Sequence, residues 1–196
     1  MNRQHRHSIL VVANWAHPGW LDRSQPARSE RACADASLEL LRRYPQLAEA
    51  ATSQLPWFGA LLARPAFARL MRLCAVLACA HSLRLVVTAA ARASLSLATG
   101  MPSLTALQCH PRGEHADLRL DVPIDCFNRH ALTAAGLALA LRATAGAAQR
   151  QWLQLRLPRE YAQAAARWRL PEIAPQTALE LIGDALDLLH ARRPSC

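Results

Sequence analysis

Residues Pro65 to Thr99 read PAFARLMRLCAVLACAHSLRLVVTAAARASLSLAT, with no Gly and no second Pro inside them. Pro suits the first helical position, where its missing N–H costs nothing. The run Thr99-Gly100-Met101-Pro102 supplies a stop: a residue able to take positive φ, then one that cannot continue a helix. At about 100° per residue, Leu70, Met71, Leu73, Cys74, Val76 and Leu77 point almost all the way round, which leaves no wide polar face. The stretch therefore predicts one long central helix, about 65–99, that needs cover on most sides. Arg69, Arg72, Arg84 and Arg92 divide it into apolar runs of at most eleven residues, short of the roughly twenty that a bilayer core demands. Arg stems can lie along a buried helix with their heads at its rim, so a packed helix is expected and a membrane span is not.

Working outward, Pro56 and Gly59 break the chain around Trp57-Phe58, expected to anchor beneath the central helix. A helix is expected from about Ala27 to Tyr44, with Ala34, Leu38 and Leu41 on one stripe, and Pro45 opens a shorter one. After Pro102 a short helix covers SLTALQ. Leu118, Leu120 and Val122 then alternate with Arg119 and Asp121, the period of a strand, and without a visible partner strand they predict one short extended arm near 117–123. Helix resumes from about Cys126 to Leu155, with Gly136 and Gly146 as places where helices can approach closely. Pro158 starts another helix. The last, Gln176 to Arg192, sets Leu179, Ile182, Leu186 and Leu189 on one face and Glu180, Asp184 and Asp187 on the other. The expected fold is all-α: a single irregular helical domain, 1–196, with an N-terminal aromatic segment at 9–21.

An apolar fraction of 52% in 196 residues is ample for a core. The net charge of +9 comes from 23 arginines and no lysine against 14 acids. Its distribution says more than its total. Ala50 to Gly113 holds no carboxylate, whereas acids gather at Glu114, Asp117, Asp121 and Asp125 and at Glu172, Glu180, Asp184 and Asp187. Such a pattern suits internal ion pairing or an acidic partner. Six cysteines are present, but Cys74 and Cys79 sit in the apolar helix as small hydrophobes would. Ile9 to Ala13 is too short for a signal-peptide core. Reduced thiols and a cytoplasmic location are expected.

No G-x-G-x-x-G, Walker-type loop, G-x-S-x-G or H-E-x-x-H occurs, so an enzyme is not expected and no cofactor is implied. Cys109, His110, His115, Cys126 and His130 are the right ligand types for zinc, yet they match no paired C-x-x-C spacing, and no metal is expected. Residues 162–182 read as helix, turn, helix beside a basic stretch, which makes a nucleic-acid-binding regulator the runner-up. Two prolines in the turn and acids on the second helix count against it.

The most particular segment is Trp15-Ala16-His17-Pro18-Gly19-Trp20-Leu21. Rigid rings on a fixed turn serve either as a plug into the domain's own core or as an interface hot spot. His17 is expected to hydrogen-bond the turn. This W-A-H-P-G-W-L run, in a basic Leu/Ala/Arg-rich chain of this size, resembles the SctK/YscK-type accessory proteins of the type III secretion sorting platform, in their plant-pathogen and Burkholderia-type branch. Gly19 stands where that group usually has Ser. The resemblance implies a largely helical, non-catalytic adaptor that links the cytoplasmic domain of the inner-membrane ring protein SctD to the pod protein SctQ. It implies a cytoplasmic location peripheral to the inner membrane, with no nucleic acid bound. Trp15, His17, Pro18, Trp20 and Leu21 are the motif positions and the candidate interface residues.

Overall fold

Every regular element among the described residues is helical, as the patterning predicts. The structure is a computed structural model, and it describes residues 12–21, 29–49, 58, 62–101, 104–120, 128–168, 170 and 172–190. In chain order the helices are α1 (Val12–Trp15), α2 (Glu30–Arg43), α3 (Arg64–Ala78), α4 (Ala80–Arg84), α5 (Ala89–Thr99), α6 (Thr105–Gln108), α7 (Arg129–Arg142), α8 (Ala147–Leu155), α9 (Arg159–Ala165) and α10 (Pro175–His190). Short 3-10 turns lie at Pro18–Trp20, Pro45–Glu49 and Pro111–Glu114. No described helix is long and apolar enough to cross a membrane. The chain divides into two compact units, Met1–Arg64 with Thr144–Gln163, and Pro65–Ala143 with Ala164–Cys196.

In the first unit, α2 begins where the Ser29 hydroxyl accepts a hydrogen bond from the Ala32 N–H, satisfying one of the donors that a helix start leaves open. Its inner face, Cys33, Ala36, Ser37 and Leu40, is buried, and α1 packs on it. Leu38, expected on that stripe, is instead exposed. The turn Pro45–Glu49 lies against α2 and α8, where the Trp152 indole donates to the Leu47 carbonyl at 3.2 Å. Phe58 is buried; Trp57 lies outside the described residues.

The second unit corrects the long central helix: 65–99 forms three helices, α3, α4 and α5. The cause of the first break is a partner far along the chain. To continue α3, the Ser82 N–H would bond the Ala78 carbonyl. Instead the Asp117 carboxylate accepts from both His81 N, at 2.8 Å, and Ser82 N, at 3.0 Å, while the Ala78 carbonyl accepts from Leu118 N at 2.8 Å. Asp117 thus caps α4. The second break follows Leu85, where Val86, Val87 and Thr88 are β-branched in succession and the Thr88 hydroxyl caps α5 through Ala91 N. The predicted stop holds: Gly100 has φ 68°, and the Gly100 and Met101 N–H groups both bond the Ser96 carbonyl. Arg69 on α3 adds donors to the Thr99 and Gly100 carbonyls.

Two helices, not one, are buried all round. On α3, Leu70 and Met71 and every residue from Leu73 to Ala78 are buried, and so is every residue of α7 from Leu132 to Ala140. They meet at Gly136, where an added Cβ would land on the Met71 carbonyl group, well inside contact distance. That backbone approach is possible only without a side chain. Asn128 caps α7 through Ala131 N, and α7 packs against α5 and α10.

The expected helix from 126 to 155 is α7 and α8 with an interruption at 143–146. Gly146 takes an extended conformation as the cap of α8, its N–H bonded to the Gln149 amide oxygen. The extended arm appears only as irregular chain at 116–120, with Leu120 buried and Arg119 exposed; 121–123 lie outside the described residues. On α10 the buried face is Ala178, Leu181, Ile182 and Ala185. Leu179, Leu186 and Leu189 sit half-buried at its margins. Asp184 and Glu180 do not simply face water, because both pair with Arg112, Glu180 at 3.7 Å.

Candidate functional site

The motif residues lie in the first unit, gathered at the C-terminal end of α8. A helix ends with carbonyls that have no partner within it. Here the motif supplies donors to two of them, the Trp15 indole N–H to the Trp152 carbonyl at 2.9 Å and the His17 backbone N–H to Leu155 at 2.6 Å, and just past the helix the Trp20 indole N–H donates to the Leu157 carbonyl at 2.7 Å. The rings add edge-to-face contacts, Trp15 with Trp152 at 5.8 Å between centroids and Trp20 with Tyr44 at 5.7 Å. Trp20, 7% exposed, and Leu21 are buried, Trp15 and His17 are half-buried, and Pro18 is exposed. The segment clasps α8 across more than a hundred residues of chain.

His17 has the turn-bonding role expected of it: its Nδ1 accepts from the Gly19 N–H at 3.1 Å. Because it precedes Pro it is held in the extended region, with ψ 139°, which starts the 3-10 turn. The device recurs in the second unit, where His110 before Pro111 has ψ 137° and its Nδ1 accepts from Arg112 N. Burial, then the charge of Arg64, lowers the His17 pKa below its ordinary 6.5, with Glu160 opposing.

Two arginines lie against this segment. Arg156 lies 4.0 Å over the Trp15 ring and donates to the Leu62 carbonyl, and Arg64 donates to Asn14 at 2.9 Å. Arg156 is only 8% exposed, and its Nε has no hydrogen-bond partner among the described residues. Burial, then Arg64, lowers its pKa to about 10. The π face of Trp15 is the compensation for a cation buried this way.

The zinc-type residues do not converge. Cys109, His115 and His130 are exposed, His110 is engaged in its turn, and Cys126 lies outside the described residues. No group of three or more metal-ligand side chains forms among the described residues. Burial raises the Cys74 pKa, and burial followed by Asp117 pushes that of Cys79 up to about 12.

The sequence reading missed one surface, on the second unit. Leu85, Val87 and Leu97 are 71%, 76% and 68% exposed, and Ala89, Ala90 and Ala93 between them are exposed too. On α5 only Leu95, Ala98 and Thr99 are buried. Ala90, Ala93 and Leu97 recur at i, i+3 and i+7 with the small Ser94 between them, so the outward face of α5 is small-sided and mostly apolar. A signal was present in the change from Leu-rich α3 to AAARASLS at 89–96, which offers too little bulk to fill a core on every side. The chain matches no family model, no curated protein and no solved structure.

Proposed function

We propose that this chain is a non-enzymatic helical adaptor of a type III secretion system, linking the cytoplasmic domain of the inner-membrane ring protein SctD to the pod protein SctQ. On this reading it works on the cytoplasmic face of the inner membrane and is held there through its partners. The observation that carries the adaptor role is the uncovered apolar segment from Leu85 to Leu97. Three large aliphatic side chains in one short stretch remain in water while neighbouring helices α3 and α7 are buried on all sides, and clustered apolar exposure marks interaction surfaces. Assignment to the secretion system rests on the W-A-H-P-G-W-L resemblance. The geometry of that run supports treating it as a signature of the fold, since its rings and N–H groups are spent on the end of α8. The test is co-purification of the full chain with the SctD cytoplasmic domain and SctQ encoded in the same genome. Retention of both through gel filtration is expected; folded protein that captures neither contradicts the proposal.

A further inference from the structure

The outer face of α5 has a charge environment as distinctive as its apolarity. Arg92 on α5 itself, Arg84 at the end of α4 and Arg129 at the start of α7 are all exposed. Arg129 reaches α5 directly, donating twice to the Leu97 carbonyl, at 3.2 and 3.0 Å, and Arg84 donates to the Gln108 and His110 carbonyls. These acceptors are neutral backbone carbonyls. None of the three arginines has a carboxylate within ion-pair distance among the described residues. Asp117, which follows this region in the chain, is engaged in capping α4.

We propose that the outward face of α5, with Leu85 and Val87 ahead of it, docks an amphipathic helix of a partner protein whose apolar stripe is flanked by carboxylates. This deepens the adaptor reading and rests on it. Each part of the surface selects for such an occupant. Ala90 and Ala93 let a second helix axis come close, Leu97 and Val87 offer side chains to bury, and Arg92 and Arg129 meet acids at the margin, where charges set partner choice and orientation. A second copy of this chain fits less well. Pairing α5 with itself would bring arginines against arginines, and like charges facing each other across an interface are disfavoured.

The test uses the full chain and two labelled helical peptides of identical leucine stripe, one flanked by Glu and the other by Lys, read by fluorescence anisotropy at low and moderate salt. The Glu peptide is expected to bind about tenfold or more tighter than the Lys peptide, less so as salt rises. Leu97→Glu should weaken it by about tenfold or more, and Arg92→Glu should erase the preference between peptides. Leu38→Glu, an exposed leucine in the other unit, is the control and should change nothing; circular dichroism confirms that each variant is folded. Equal binding of the two peptides, or binding unaffected by Leu97→Glu, overturns the proposal, as does a dimer in sedimentation that Leu97→Glu dissolves. The two readings fail separately. Peptide discrimination without capture of SctD or SctQ removes the secretion assignment and leaves the docking face. Capture that survives Leu97→Glu removes the docking face and leaves the adaptor.

Discussion

Replacing Trp20 separates a clasp from an interface. The side chain is 7% exposed, stacks edge-on against Tyr44 and donates its indole N–H to the Leu157 carbonyl at 2.7 Å. Trp20→Ala removes the ring and leaves a cavity, a change that costs about 3–5 kcal/mol in a packed core. Trp20→Phe keeps an aromatic ring in place but removes the donor and part of the ring volume, and the orphaned carbonyl alone costs about 1–3 kcal/mol. In a chain of this size each kcal/mol moves the melting temperature by roughly 2–4 °C. The Ala variant should therefore melt about 6–20 °C below wild type and the Phe variant about 2–12 °C below it, as measured by far-ultraviolet circular dichroism. The ordering matters as much as the size, because the Phe variant retains a ring that the Ala variant loses. An unchanged melting temperature in Trp20→Ala with lost capture of SctD or SctQ would refute the clasp and place the ring at the interface.

Gly136→Ala sets two effects against each other: a gain of about 1 kcal/mol in helix propensity and a Cβ driven into the Met71 backbone, which has no rotamer to escape by. Overpacking of about 1–3 kcal/mol or more wins, and urea unfolding should show net destabilisation. Asp117→Ala should cost about 1–2 kcal/mol by uncapping α4, with Asp117→Asn recovering part of it; equal stability of the three forms contradicts the account of the helix break. For His17 the folded-state pKa lies below the ordinary 6.5, so as pH falls through that value the unfolded chain takes up the proton first. The contribution to stability is present above about pH 6.5 and lost toward the lowered folded value. The urea midpoint should drop as pH is lowered from 7 toward 5, and His17→Gln, which keeps an acceptor for Gly19, should show a shallower drop.

What was legible in the sequence was local. Gly100 stopped α5 because the chain there turns through positive φ, Pro45 and Pro158 marked helix starts, and Gly136 marked a close approach. What was not legible came from partners distant along the chain. Nothing within residues 76–82 announces a break, which depends on Asp117 and Leu118 arriving at the backbone of 78–82. The second break carried a signal of its own in Val86-Val87-Thr88. The buried face of α10 lies a fraction of a turn from its leucine stripe, because the small Ala178 and Ala185 are buried on it alongside Leu181 and Ile182. The motif was visible as unusual, but its task was not, since the carbonyls it caps belong to residues 152–157. The exposed face of α5 is not legible because continuous apolarity reads as burial, and α5 is mostly apolar on the side left in water.

The most direct measurement is co-purification of the SctD cytoplasmic domain and SctQ with wild-type full-length protein and with Leu97→Glu, both shown to be folded. The account predicts capture by wild type and loss of at least one partner from the variant. Folded wild-type protein that retains neither, or a variant that retains both as well as wild type does, contradicts it.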